Sequence, residues 1–127
     1  MSVAEQFRAA VESRDIDAGV ALLDDDVVFR SPAVFKPYEG AETVGTILRT
    51  VLGVFEDFRY TDELAGEGTH ALIFEAHVGD RNLQGLDLIR PTPDGERIAE
   101  FTVMIRPASG LMALAEKMGP ALAAAGV

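Results

Sequence analysis

The chain has 127 residues, 48% apolar and 25% charged, the balance of one folded domain spanning 1–127 rather than a disordered segment. Eleven Lys and Arg stand against 21 Asp and Glu, a formal net charge of −10, so the surface repels phosphate backbones and anionic headgroups and neither nucleic acid nor membrane is an expected partner. There is no cysteine, which removes disulfides, thiolate nucleophiles and cysteine metal sites together; with no apolar run long enough to span a bilayer, a cytoplasmic location is the simplest expectation.

Val3, Phe7, Ala10 and Val11 recur at helical spacing, behind Ser2 and Glu5 in a capping-box arrangement, and predict a first helix over 3–13. Asp15 caps a predicted second helix, Ile16 to Leu23, with Ile16, Val20 and Leu23 on one side. The run Asp24-Asp25-Asp26 reads as a solvated turn ending that helix. Three consecutive carboxylates do not converge on one point, so no metal site is expected there. Val27–Arg30 is a short β-branched strand stopped near Pro32, and residues 32–40 form a loop with two prolines. A third helix follows over 41–55, with Val44, Ile47, Leu48, Val51, Leu52 and Phe55 as its apolar stripe; Gly45 and Gly53 are positions for close packing.

From Asp57 the hydrophobic period changes to 2, predicting strands at 57–65, 69–79, 82–90 and 97–106. Asp80-Arg81 is the expected turn between the second and third, and Pro91–Gly95 the turn between the third and fourth. From Ser109, Leu111, Leu114, Ala115 and Met118 predict a short last helix that Pro120 interrupts, leaving a frayed alanine-rich tail. Helices first and antiparallel strands later give an α+β architecture, a curved sheet closed on one side by helices, whose hollow suits a small apolar ligand.

An Asp80-Arg81 turn pairs Val78 with Leu83, Ala76 with Gly85 and Phe74 with Asp87, so Leu72, Phe74, Ala76, Leu83, Gly85, Asp87 and Ile89 share the inner face. The other face carries Ile73, Leu86, Leu88 and Met104 beside His77 and Gln84, too apolar for solvent. A homodimer through it is the expectation. Asp87 stands among apolar inner-face residues, facing Phe74 on one side and Phe101 on the other. Such surroundings raise a carboxyl pKa and suit an acid or hydrogen-bond donor. The predicted cavity lining is Phe7, Val20, Phe29, Ser31, Phe55, Phe74, Asp87, Phe101 and Val103, with Tyr60 entering from the start of the sheet. His70 is expected at the rim on the pocket side and His77 outside, so the two cannot share a metal. Arg106 is expected to pair with Glu100 or a helix terminus.

The helix Val3–Ser13, the stretch DIDAGVALLDDDVVFRSP, the FKPYEG loop and the hairpin GLDLIRPTPDGERIAEFTVMIRP together resemble the nuclear transport factor 2-like superfamily, particularly its SnoaL-like and ketosteroid-isomerase-like members, over about residues 3–107. The resemblance implies a cone of three N-terminal helices on a strongly curved, mostly antiparallel sheet. It does not fix the activity, since this fold hosts isomerases, cyclases, dehydratases, epoxide hydrolases and binding domains. Ketosteroid isomerases place an oxyanion-donating tyrosine where this chain has Phe7, and a proton-shuttling aspartate where it has Ser31; their protonated donor aspartate matches Asp87. That enzyme's neutral aspartic acid is a standard case of a carboxyl kept protonated to donate a hydrogen bond. Limonene-epoxide-hydrolase-like members use an Arg-x-Asp pair, where this chain has Gly85 two residues before Asp87. SnoaL-like cyclases use a strand aspartate as acid/base. The resemblance therefore implies a small hydrophobic ligand, no cofactor, and either isomerase- or cyclase-like acid/base chemistry at Asp87 or a non-catalytic binding or dimerisation module.

Overall fold

The computed structural model describes all residues, 1–127. Helix α1 (Val3–Glu12) starts in a reciprocal cap: the Glu5 N–H donates to Ser2 Oγ at 3.1 Å and the Ser2 N–H donates to Glu5 Oε1 at 3.0 Å. Its buried face is Val3, Ala4, Phe7, Ala10 and Val11. Helix α2 (Ile16–Val20) is capped by Asp15 and is shorter than predicted, because Leu23 already pairs with Ile98 and opens strand β1 (Leu23–Arg30). The acidic run consequently lies in a strand, not in a turn. The β1–β6 register shifts between Leu23 and Val28, and this irregularity keeps Asp25 and Asp26 in solvent.

The remaining elements are β2 (Tyr38–Glu39), α3 (Ala41–Val54), β3 (Glu56–Gly66), β4 (Thr69–Val78), β5 (Arg81–Pro91), β6 (Ile98–Arg106) and α4 (Ala108–Ala124). They form one curved, open six-stranded sheet in the order β2-β1-β6-β5-β4-β3, antiparallel except for the parallel β1–β6 pair. The α+β cone read from the sequence is the observed fold. No helix is long and apolar enough to cross a membrane.

Two registers differ from the prediction. The β4–β5 turn is Gly79-Asp80, closed by the Val78–Arg81 pair, with Gly79 at φ +59° where a two-residue hairpin favours glycine. Asp87 therefore faces Leu72, and Phe74 faces Gly85. On the other side a shift between Arg90 and Pro91 sets Asp87 against Val103 and Ile89 against Phe101. Both slips amount to two residues at Asp87, so every side chain keeps its predicted face.

Gly85 is required by what lies on it. A Cβ there would sit 2.0 Å from Phe74 Cζ, so the Phe74 ring occupies the space a side chain would take. Gly85→Ala must displace that ring, and we expect a loss of about 1–3 kcal/mol, measured by denaturant unfolding. Gly45 also packs closely, as predicted: its Cβ would meet Val20 Cγ1 at 2.9 Å. Gly53 has nothing within 4 Å and serves no such role.

The last helix is the largest departure. Rather than short and broken at Pro120, α4 is the longest helix and runs through that proline to Ala124. Leu114 is buried, and Met118 and Leu122 pack against the core on either side of Pro120. This apolar anchoring outweighs the missing backbone hydrogen bond.

Candidate ligand cavity and its buried carboxyl

The cone encloses a cavity of about 260 Å³, close to the lower end of the range typical of small-molecule sites, about 300–1,000 Å³. The sheet supplies Phe29 from β1, Phe58 and Tyr60 from β3, Phe74 from β4, Asp87 from β5, and Phe101, Val103 and Ile105 from β6. Phe7 and Val11 of α1 and the stripe Ile47, Leu48, Val51, Leu52 of α3, continued by Phe55, form the walls. Leu111, Leu114, Ala115, Met118 and Leu122 of α4 cover it, and Ser31 to Val34 with Tyr38 make part of the rim.

Aromatic rings line one side. Phe58 stacks on Phe74 at 4.8 Å between centroids and meets Tyr60 edge-on at 5.0 Å, while Phe55 lies 5.4 Å from Phe74. Opposite them Phe101 contacts Phe7 at 5.1 Å and Phe29 at 5.9 Å.

Asp87 is the one charged residue that is buried, at 6% exposure. Its carboxyl pKa is pushed up to about 8 by burial away from water, opposed by the hydrogen bond from Tyr60. The carboxyl is thus mostly neutral at pH 7. The Tyr60 hydroxyl donates to Asp87 Oδ2 at 3.4 Å, a long bond that orients more than it binds. Burial, and then the neighbouring Asp87, raise the Tyr60 pKa well above that of a free phenol, so it too is a neutral donor. Asp87 Oδ1 takes no hydrogen bond from the chain. No fully enclosed side-chain oxygen lacks a partner, so Oδ1 retains accessible surface, and the surface this residue presents is the cavity wall.

Of the residues picked out in the sequence, Phe7, Phe29, Ser31, Phe55, Tyr60, Phe74, Asp87, Phe101 and Val103 are brought around this one cavity. Val20 is not: at the end of α2 its side chain packs on Gly45 of α3, outside the hollow. Ser31 Oγ accepts from the Ala33 N–H at 3.0 Å, shaping the rim turn. His70 is half-buried and not part of the lining. It approaches Glu5 and Glu63, but Glu5 closes the α1 cap and Glu63 pairs with Arg8 at 3.1 Å. His77 lies outside, its Nε2 2.6 Å from Asp57 Oδ2 and its Nδ1 2.9 Å from the Gly79 carbonyl; these two partners raise its pKa. Arg106 does not pair with Glu100, which is taken by Arg30 and Arg90. It donates to Gln84 Oε1 at 3.2 Å.

The sequence reading missed Phe58, Tyr38 and the cavity role of α4. The α4 stripe was visible as periodicity, but nothing local tells which surface a stripe meets. Phe58 lies inside the register shift between Glu56 and Arg59, a break in β3 that defeats alternation as a guide.

A curved α+β cone around an apolar hollow with one buried carboxyl defines the structural class. Within that class, residues 4–115 match the family described as the SnoaL-like domain, and the chain belongs to it. A crystal structure of a steroid delta-isomerase from Pseudomonas aeruginosa is 47% identical, with a TM-score of 0.90 over 97% of this chain and 90% of that one. An uncharacterised cystatin-like-fold protein from Silicibacter pomeroyi DSS-3 is 31% identical, with a TM-score of 0.86 over 93% of this chain and 83% of that one. A putative ketosteroid isomerase from Kribbella flavida DSM 17836 is 18% identical and covers 84% of this chain and 76% of its own, TM-score 0.68, which shows the common fold. No curated protein matches the sequence.

Proposed function

We propose that the protein binds a small, uncharged, largely hydrocarbon carbonyl compound in the cavity and that Asp87 serves it as proton donor and acceptor. The observation that carries this reading is the free Oδ1 of a buried, mostly protonated carboxyl in an otherwise apolar hollow. The likeness to a protein described as a steroid delta-isomerase supports it. The neutral carboxyl gives its proton to the carbonyl oxygen, which acidifies the protons on the adjacent carbon. Having given up its proton, the carboxylate is an unusually strong base for its type and takes a proton from the adjacent carbon, yielding an enol and restoring the acid. A shift of a double bond and a ring closure both use this step. A preorganised donor replaces water at the oxygen, and the apolar walls exclude ligands that carry phosphate or carboxylate.

The bicyclic ketone 2-tetralone tests this by loss of its α-protons to deuterated solvent. Wild type should accelerate exchange, with the rate falling as pH rises through about 8, because the donor form is the protonated one. Asp87→Asn should bind the ketone and lose the acceleration. Phe7 and Ser31, which carry no acid or base, favour a second reading, a binding module; ketone binding without wild-type exchange would select it.

We also propose a homodimer through the outer sheet face. Ile73, Leu86 and Met104 are direct cross-strand neighbours on three adjacent strands, and Leu88 lies one inward-outward repeat along. Met104 is 55% exposed, and Ile73, Leu86 and Leu88 are part-exposed, an apolar row that a single chain leaves partly in water. Gln84, Arg106 and the Arg59–Glu75 pair form a polar edge to it. Leu86→Lys places a charge in the middle of the row, at a cost of several kcal/mol. Sedimentation should show a wild-type dimer at micromolar concentration and a monomeric variant; a wild-type monomer removes the proposal.

A further inference from the structure

Strand β3 is the edge of the sheet, and along its eleven residues only Tyr60 is buried. The ladder to β4 shifts register immediately after it, between Tyr60 and Asp62, and again before it, between Glu56 and Arg59. Shifts of this kind re-aim a side chain at the expense of regular pairing. Here Tyr60, with Phe58 two residues before it, points inward to the cavity, and its hydroxyl reaches past β4 to the carboxyl on β5. Its ring is held on two sides: Phe58 meets it edge-on, interplanar angle 88°, and the Arg8 guanidinium lies 5.6 Å from its centroid. Arg8 is itself fixed by Glu12 at 3.3 Å and Glu63 at 3.1 Å, so the phenol is braced from the solvent side. A core tyrosine chosen for bulk alone needs neither the flanking shifts nor a hydroxyl aimed at the one buried charged group.

We infer that Tyr60 is a positioning residue: its hydroxyl donates to Asp87 Oδ2, which leaves the acid proton on Oδ1, the oxygen that faces the cavity. This rests on the reading of Asp87 as the site's proton donor, and it adds how that donor is aimed. A carboxyl without this partner could carry its proton on either oxygen and rotate. With the partner in place, one oxygen accepts and the other donates. The role differs from that of the tyrosine in the ketosteroid isomerases, since that position is Phe7 here and Tyr60 comes from a different element.

The test is the titration of Asp87 followed by carboxyl-carbon NMR in wild type and in Tyr60→Phe, with no ligand present. Loss of a hydrogen bond that favours the charged form should raise the Asp87 midpoint by about half to one pH unit. An unchanged midpoint overturns the inference. Should Tyr60→Phe fold poorly, 3-fluorotyrosine incorporated in a Tyr38→Phe background gives a single labelled phenol, as Tyr38 and Tyr60 are the only tyrosines. The more acidic phenol is a stronger donor and should lower the midpoint; no movement again overturns the inference. With 2-tetralone, Tyr60→Phe should keep ketone affinity within about threefold and reduce the exchange rate about tenfold or more, with the alkaline limb displaced in parallel with the NMR midpoint. An NMR shift without wild-type exchange leaves Tyr60 as the group that orients Asp87 and removes the acid/base reading instead.

Discussion

Asp87→Asn should stabilise the protein, and by an amount that grows with pH. The Asp87 carboxyl ionises near its ordinary value of 3.8 in the unfolded chain and is pushed up to about 8 in the folded one. Between those values the unfolded chain has released this proton and the folded chain still holds it. The unfolded state therefore binds fewer protons, and this group's contribution to stability falls as pH rises through the window, then stays flat above it. Each unit of difference is worth about 1.4 kcal/mol, so the full window sets an upper bound of roughly 6 kcal/mol, which relaxation and water entry reduce. Asparagine keeps the size, can accept from Tyr60 and carries no charge to desolvate. The melting temperature of Asp87→Asn minus that of wild type should thus rise by about 5 °C or more between pH 5 and pH 9. Other titrating groups, including His77 with its raised pKa, are common to both proteins and largely cancel in the difference. A constant difference across that range would mean that Asp87 does not hold its proton in the folded state.

Phe101→Ala should cost about 3 kcal/mol, toward the lower end of what a buried phenylalanine ordinarily costs, about 3–5 kcal/mol. Phe101 is almost fully buried and joins α1, through Phe7, to β1, through Phe29, so its removal loosens the contact between the first helix and the sheet. One side of its ring already faces the cavity, so fewer packing contacts are lost there than in a solid core. The same substitution enlarges the hollow. Chemical unfolding should show the loss of stability, and the variant should accept a ketone with one more ring than wild type admits.

How much could be read from the sequence follows from the range of each signal. Strand alternation placed Asp87, Phe74, Phe101 and Val103 on the inner face. Two-residue register errors left that unchanged, because a side chain returns to the same face every second residue. The cross-strand partners were not readable, since choosing between Gly79-Asp80 and Asp80-Arg81 as the turn moves every pair by two while leaving local composition identical. Val20 was assigned inward from helical spacing alone. A five-residue helix such as α2 has more than one apolar side, and Val20 faces Gly45 of α3. The continuation of α4 past Pro120 depends on burial of Leu122, a tertiary effect that overrides the local signal. Tyr60 could be singled out as a phenol at the entry to the sheet, but its bond to Asp87 spans two strands and depends on register shifts that have no sequence signature.

The most direct measurement is the titration of the Asp87 carboxyl in the ligand-free wild-type protein, with the resonance assigned by its absence from Asp87→Asn. A midpoint near 8 is expected, as is required of a neutral donor at physiological pH in an apolar hollow. A midpoint at or below the ordinary value of 3.8 would show an ionised, paired carboxylate and contradict both its role as donor and the function built on it.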